Sequence, residues 1–161
     1  MAVFKYKLQN VLDIKFRIED QARAAFAAAQ AKLDEEEQKR DALIQRRIGY
    51  EIEGRRLREE ILNMNDMRDN DRAIENIKGQ IKAQEKQVEL ARKEVDQARL
   101  RLTDAMQERK IHEKLKENSF EEFKHEINAA ESKEVDELVS YTYGERIKAA
   151  NNQTKDDTSD G

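Results

Sequence analysis

Residues 74 to 105 place apolar or small side chains on a nearly unbroken heptad. Met67, Ile74, Ile81, Val88, Val95 and Leu102 share one line, and Ile77, Gln84, Ala91, Ala98 and Ala105 follow the last five at a spacing of three. A seam recurring every ~3.5 residues is what keeps two helices in register along their length. No proline interrupts it anywhere in 161 residues, so the strongest helix breaker is missing. The pattern predicts an all-α chain built as a coiled coil, and a rod of that kind has no cleft for chemistry. Function then has to come from what the rod touches.

Composition supports that reading. Charged residues make up 41% of the chain and hydrophobic ones 37%, too little apolar matter for an ordinary globular core but enough for a thin seam between solvated faces. Disorder is the competing reading of such polarity, and the sustained period argues against it. With no cysteine the sequence has no disulfide or thiol chemistry, which suits a reducing compartment. There is no apolar run near ~18 residues and no signal-peptide core, so neither membrane insertion nor secretion is expected. A net charge of −4, with acids and bases interspersed, lacks the basicity of a nucleic-acid binder.

Two long helices are predicted, joined as an antiparallel hairpin within a single domain over residues 1–150. The first runs from about Phe4 to Leu62, with a seam through Leu8, Leu12, Ala22, Phe26, Ala29, Leu33, Leu43, Tyr50, Leu57 and Ile61. Lys15, Glu36, Arg40, Arg47 and Gly54 weaken that seam by occupying its positions. Gly49 and Gly54 each cost a helix about 1 kcal/mol relative to alanine, which reads either as a point of flexure or close approach, or as simple tolerance. The Asn- and Asp-rich stretch at 63–71 is the expected turn, bending near Asp66, with Asp69, Asn70 or Asp71 capping a second helix over about 72–147.

Charge favours the fold-back. Residues 1–33 carry a net +3 and residues 119–137 a net −5. An antiparallel register centred on Asp66 sets these against each other and faces Asp34–Glu37 toward Arg99 and Arg101, whereas a parallel dimer stacks the acids on themselves. In that register the alanine-rich stretch at 24–31 meets Ala105 and Met106. Near Asn118 the period slips; Ser119 and Glu122 have the spacing of a capping box, so either a new helix or a stutter in a continuous one fits. Beyond about residue 133 the second arm outruns the first. Val135, Leu138, Val139, Tyr141 and Tyr143 are then unpaired and mark a docking end. The tail from about Asn151 reads as disordered.

No catalytic, cofactor or metal site is expected. Neither His112 nor His125 has the His-Glu-x-x-His spacing of a zinc helix, and the glycines form no phosphate loop. Helix-surface carboxylates lie in water, where nothing tunes them for acid–base work. The basic stretch around Arg109, Lys110, Lys114 and Lys116 reads as a solvated face.

Three segments, in order, carry a family likeness. Phe4-Lys-Tyr6-Lys-Leu8-Gln-Asn-Val11-Leu12 leads through Lys15 to Glu19-Asp20-Gln-Ala22. Lys110-Ile-His-Glu113-Lys114-Leu115 and Lys133-Glu-Val-Asp136-Glu137 follow. Together they resemble the FliJ family of bacterial flagellar export proteins over roughly residues 3–147. The resemblance implies an antiparallel hairpin similar to the central stalk of rotary ATPases, without catalytic residues. It implies a cytoplasmic protein, peripheral at the inner membrane and not inserted in it. The partners implied are the hexameric export ATPase, the cytoplasmic domain of the export gate, and export chaperones. On this reading Phe4, Tyr6, Leu8, Leu138 and Tyr141 face the ATPase ring, and Leu43, Tyr50 and Ile77 match the family's gate-contact positions. Ala73 and Arg46 depart from it where bulky aromatics are common, and the net acidity departs from the many basic relatives. An arm of ~60 residues spans about 90 Å. The rival readings are a dimeric coiled-coil scaffold or tether without an ATPase partner, and a helical protein that compacts nucleic acid.

Overall fold

The computed structural model describes residues 2–60 and 63–156, with side chains described through Gln153. It contains α1 (Gln9–Glu59) and α2 (Met64–Asp156), which form a two-helix hairpin with the second helix longer. Backbone contacts divide it into a unit spanning Val11–Ile111 and another made of the N-terminal segment through Asn10 with α2 from His112 onward.

Within Val11–Ile111 the two arms pack antiparallel along the expected seams. Ile77, Ile81, Val88, Ala91, Val95, Ala98 and Ala105 are buried on α2, and Ile74, Gln84 and Leu102 are half-buried. On α1, Leu12, Leu33 and Gly54 are buried, with Ala22, Phe26, Ala29, Leu43, Tyr50 and Leu57 half-buried between them. Leu33 packs with Val88, Ala91 and Val95, and Phe26 and Ala29 close over that cluster.

The turn is tighter and earlier than its Asn/Asp content suggests. α1 ends at Glu59 and α2 begins at Met64, so most of the stretch at 63–71 is helical; Ile61 and Leu62 lie outside the described residues. Asn63, and not Asp69, Asn70 or Asp71, is the cap: its Oδ1 accepts from the backbone N–H of Asn65 at 3.1 Å and of Asp66 at 3.4 Å. A side-chain oxygen there satisfies amides that have no partner within the helix, and the next acids become ordinary first-turn residues.

This moves the register. Lys15 pairs with Glu108 at 3.5 Å, and Glu37 meets Arg92 at 3.7 Å in place of Arg99 and Arg101. The midpoints of the cross-arm pairs fall near residues 60–64, several residues before Asp66. Near Asn118, α2 continues without interruption, so the slip is a stutter and not a new helix. Residues 151–156 extend α2, and the rest of the expected tail lies outside the described residues.

Gly49 faces solvent and Gly54 the seam, and glycine means something different at each. A Cβ at Gly54 would lie 2.6 Å from Asn70 Oδ1, whereas one at Gly49 would meet nothing within 4 Å. Gly54 thus admits a close partner, the Asn70 amide, whose Nδ2 donates to the Tyr50 carbonyl at 2.9 Å.

Two outcomes follow. Thermal unfolding of Gly49→Ala should show a gain of about 1 kcal/mol. Gly54→Ala should show little net gain, because the displaced amide forfeits about 1 kcal/mol of hydrogen bonding; equal gains at both sites would contradict the packing. Cysteines at Lys15 and Glu108 should oxidise to a crosslink within one chain, and a product found only between chains would contradict the fold-back.

Candidate functional site

Two features distinguish this molecule from a generic apolar coiled coil. One is a set of polar side chains inside the seam of Val11–Ile111. The other is the solvent-facing end of α2.

Glu19 sits on the seam with its side chain 5% exposed. Its carboxylate accepts from Arg109 across the seam, through Nε to Oε2 and through an amino nitrogen to Oε1 at 3.4 Å, and from Arg23 one turn along at 3.0 Å. The Arg109 guanidinium also lies 5.8 Å from the Phe16 ring centroid, a cation–π contact. Arg109 is therefore a seam partner, where the sequence suggested part of a solvated basic face. Phase alone could have found both: Glu19 lies one heptad from Leu12 and from Phe26, and Arg109 one heptad from Leu102.

Glu36, buried at 6% exposure, forms a second polar layer with Gln84. The Gln84 amide donates to the Glu36 carboxylate and also to its backbone carbonyl at 3.0 Å. Lys32 and Lys39 approach the same carboxylate at 3.0 and 3.5 Å. The Gln84 hydrogen bond first, then that of Lys32, holds the Glu36 carboxyl below its ordinary value, against the opposing effect of burial. Asn70 on Tyr50 and Gly54 makes the third layer.

In the unit formed by the N-terminal segment and α2 from His112, residues before α1 turn back onto the helix. The Tyr6 carbonyl accepts from Gln9 N–H at 3.2 Å, which sets the start of α1. Phe4 lies edge-on to Phe120 at 5.2 Å between centroids and tilted against Phe123 at 5.4 Å. Such pairs add roughly 0.5–1.5 kcal/mol beyond their burial. Tyr6 is half-buried with its hydroxyl enclosed, and Leu8 is exposed. Past Ile127 every described side chain of α2 is exposed apart from Gly144, which is half-buried. Leu138 and Tyr141 are 65% and 66% exposed, with Val135, Val139 and Tyr143 alongside them.

Of the eight residues singled out for partners, Leu8, Leu138 and Tyr141 are open to solvent, whereas Phe4 and Tyr6 build the end of the unit. Leu43 and Tyr50 are half-buried on the seam, and Ile77 is 1% exposed and wholly packed. Among the described residues no cluster of His, Asp and Glu is placed to hold a metal ion, and no helix is long and apolar enough to cross a membrane.

The fold is a coiled-coil hairpin whose second helix is the longer and ends with its side chains exposed. A model of the flagellar FliJ protein family matches residues 4–148, nearly the whole chain, and the protein belongs to that family. It is thus a component of the flagellar, type III, protein export apparatus, in a family that is non-catalytic and cytoplasmic. No curated protein matches the sequence. Among solved structures, a YscO homolog, CT670, from Chlamydia trachomatis aligns at 24% identity with a TM-score of 0.44, over 88% of this chain and 96% of that one.

Glu36 gives the seam a sign in pH. Its folded-state pKa lies below the unfolded value of 4.5, so its contribution is full above that value and is lost as pH falls through the lower folded value. Glu36→Gln should flatten the acid limb of a stability-versus-pH curve below pH 4.5; a limb as steep as in the parent would contradict this role.

Proposed function

We propose that this chain is a stalk that binds the hexameric export ATPase through the unit carrying its N-terminal segment and the end of α2. The observation that carries the reading is the run of α2 beyond Ile127, helical and solvent-exposed, with the large apolar side chains of Val135, Leu138, Val139, Tyr141 and Tyr143 in solvent. Soluble monomers do not gain from leaving such side chains uncovered, so a run of them marks a place where another molecule lands. Leu8, Leu138 and Tyr141 make the contact with the ring. Phe4 and Tyr6 hold the N-terminal segment against α2 so that the contact is presented on a rigid support.

The chain contributes no catalytic group to this process. It biases the ring's own ATPase cycle by preferring one conformation of the ring over others, which is the only way a bound protein shifts an equilibrium. The same rod joins the ring to the cytoplasmic domain of the export gate, and it escorts export chaperones at the cytoplasmic face of the membrane. Leu43 and Tyr50 are the gate-facing candidates, because their half-buried side chains keep one edge in solvent. Ile77 supports that surface from beneath by filling the seam.

Deleting residues 134–147 from the full chain should abolish stimulation of the export ATPase while leaving far-UV helicity nearly intact. Stimulation equal to that of the parent chain would refute the assignment.

A further inference from the structure

The exposed end of α2 has an internal order that a ring contact does not require. Val135, Val139, Tyr143 and Ile147 recur at i, i+4, i+8 and i+12, which makes them one continuous ridge on an α-helix. They are 57, 62, 66 and 45% exposed, so the ridge is uncovered along its length. The ridge on one side reads Asp136, Ser140, Gly144, Lys148, and the ridge on the other reads Glu134, Leu138, Thr142, Arg146. Each flanking ridge therefore begins with an acid and ends with a base. All four charged residues are exposed, and no ion pair joins any of them to another described residue.

We propose that this segment pairs with the same segment of a second copy, antiparallel, about a two-fold axis level with Tyr141. That axis sets Val135 against Ile147 of the second copy and Val139 against its Tyr143. In a two-fold antiparallel pair each flanking ridge lies beside its own counterpart running the other way. Asp136 then lies next to Lys148 of the second copy, and Glu134 next to its Arg146. Parallel pairing would instead put acid on acid and base on base, so the charges select the direction. Ser140 and Gly144 at the centre of one flank let the helices approach closely; a Cβ at Gly144 would meet nothing within 4 Å in the single chain. The interface is isologous, as a two-fold requires.

The ridge covers fewer than four turns, less than the ~1,200–2,000 Å² interface of a stable dimer needs. The pairing is accordingly weak and depends on concentration and salt. It shares Leu138 with the ring reading, whereas Tyr141 lies on the opposite side of the helix, and the inference rests on the order of residues in α2 and not on the ring.

The test uses the full chain alone. Sedimentation equilibrium between about 10 μM and 1 mM at low salt should show a monomer–dimer equilibrium in this weak-interface range. Asp136→Arg or Lys148→Asp alone should weaken it about fivefold or more, and the two together should restore it. The chain has no native cysteine, so Val139→Cys chains mixed with Tyr143→Cys chains should form a crosslinked dimer, while neither crosslinks alone. A monomer at every concentration would overturn the inference and leave the face to another partner. A dimer without rescue by the double variant, or one in which Val139→Cys crosslinks by itself, would overturn it equally.

Discussion

Polar side chains buried in an otherwise apolar seam fix how the two arms meet. Alanine layers such as those of Ala91, Ala98 and Ala105 are nearly interchangeable, so a hairpin held by them alone could slip by a heptad at small cost. The Glu36–Gln84 and Glu19–Arg109 layers are not interchangeable. A slip of one heptad toward the turn would put Glu36 against Ile77 and Glu19 against Leu102. Each carboxylate would lose its cross-arm donor to an apolar neighbour and keep only the cations of its own arm, Lys32 and Lys39 or Arg23, which is more costly than a lost apolar contact. The polar layers add little net stability of their own. Their effect is to make the alternatives worse, and Asn70 against Gly54 does the same near the turn.

Register in turn decides what is left uncovered. With cross-arm midpoints near residues 60–64, Phe4 finds Phe120 and Phe123, and α2 runs on past Ile127 with its side chains in solvent. A bend at Asp66 would have covered several more residues of α2 and carried the acidic stretch at 126–137 onto the basic N-terminal arm. With the earlier turn, the acids of that stretch stay exposed. The family is one of non-catalytic export components, and the proposed contact uses this uncovered length.

The α2 seam was legible in the sequence because every seam position from Ile74 to Ala105 is apolar or small apart from Gln84. The α1 seam is legible only in part: Lys15, Glu36, Arg40, Arg47 and Gly54 interrupt it as weak points, and Glu19 lies on it with no apolar side chain to mark it. Composition cannot separate a buried glutamate from a solvated one when a single arm is read. Heptad phase separates them, since Glu19 is one heptad from Leu12 and Phe26, and its partner ninety residues away shares the phase of Leu102. The turn lies earlier than the Asn and Asp content implies, for a related reason. Asn and Asp favour caps and turns, but one Asn63 is enough to start α2, after which Asp66, Asp69 and Asp71 are tolerated in its first turns. The partner residues divide the same way: exposure at Leu138 and Tyr141 follows from length alone, whereas the burial of Ile77 follows from its seam position.

The claim that buried polar pairs set the register is tested most directly by a double-mutant cycle on Glu19 and Arg109. Glu19→Leu and Arg109→Leu should each destabilise the chain to thermal unfolding, by about 2 kcal/mol or more, because each leaves a charge in the seam without its partner. The double variant should recover most of that loss while admitting more than one arm register in cross-arm distance measurements. Additive losses with a single unchanged register would contradict the account.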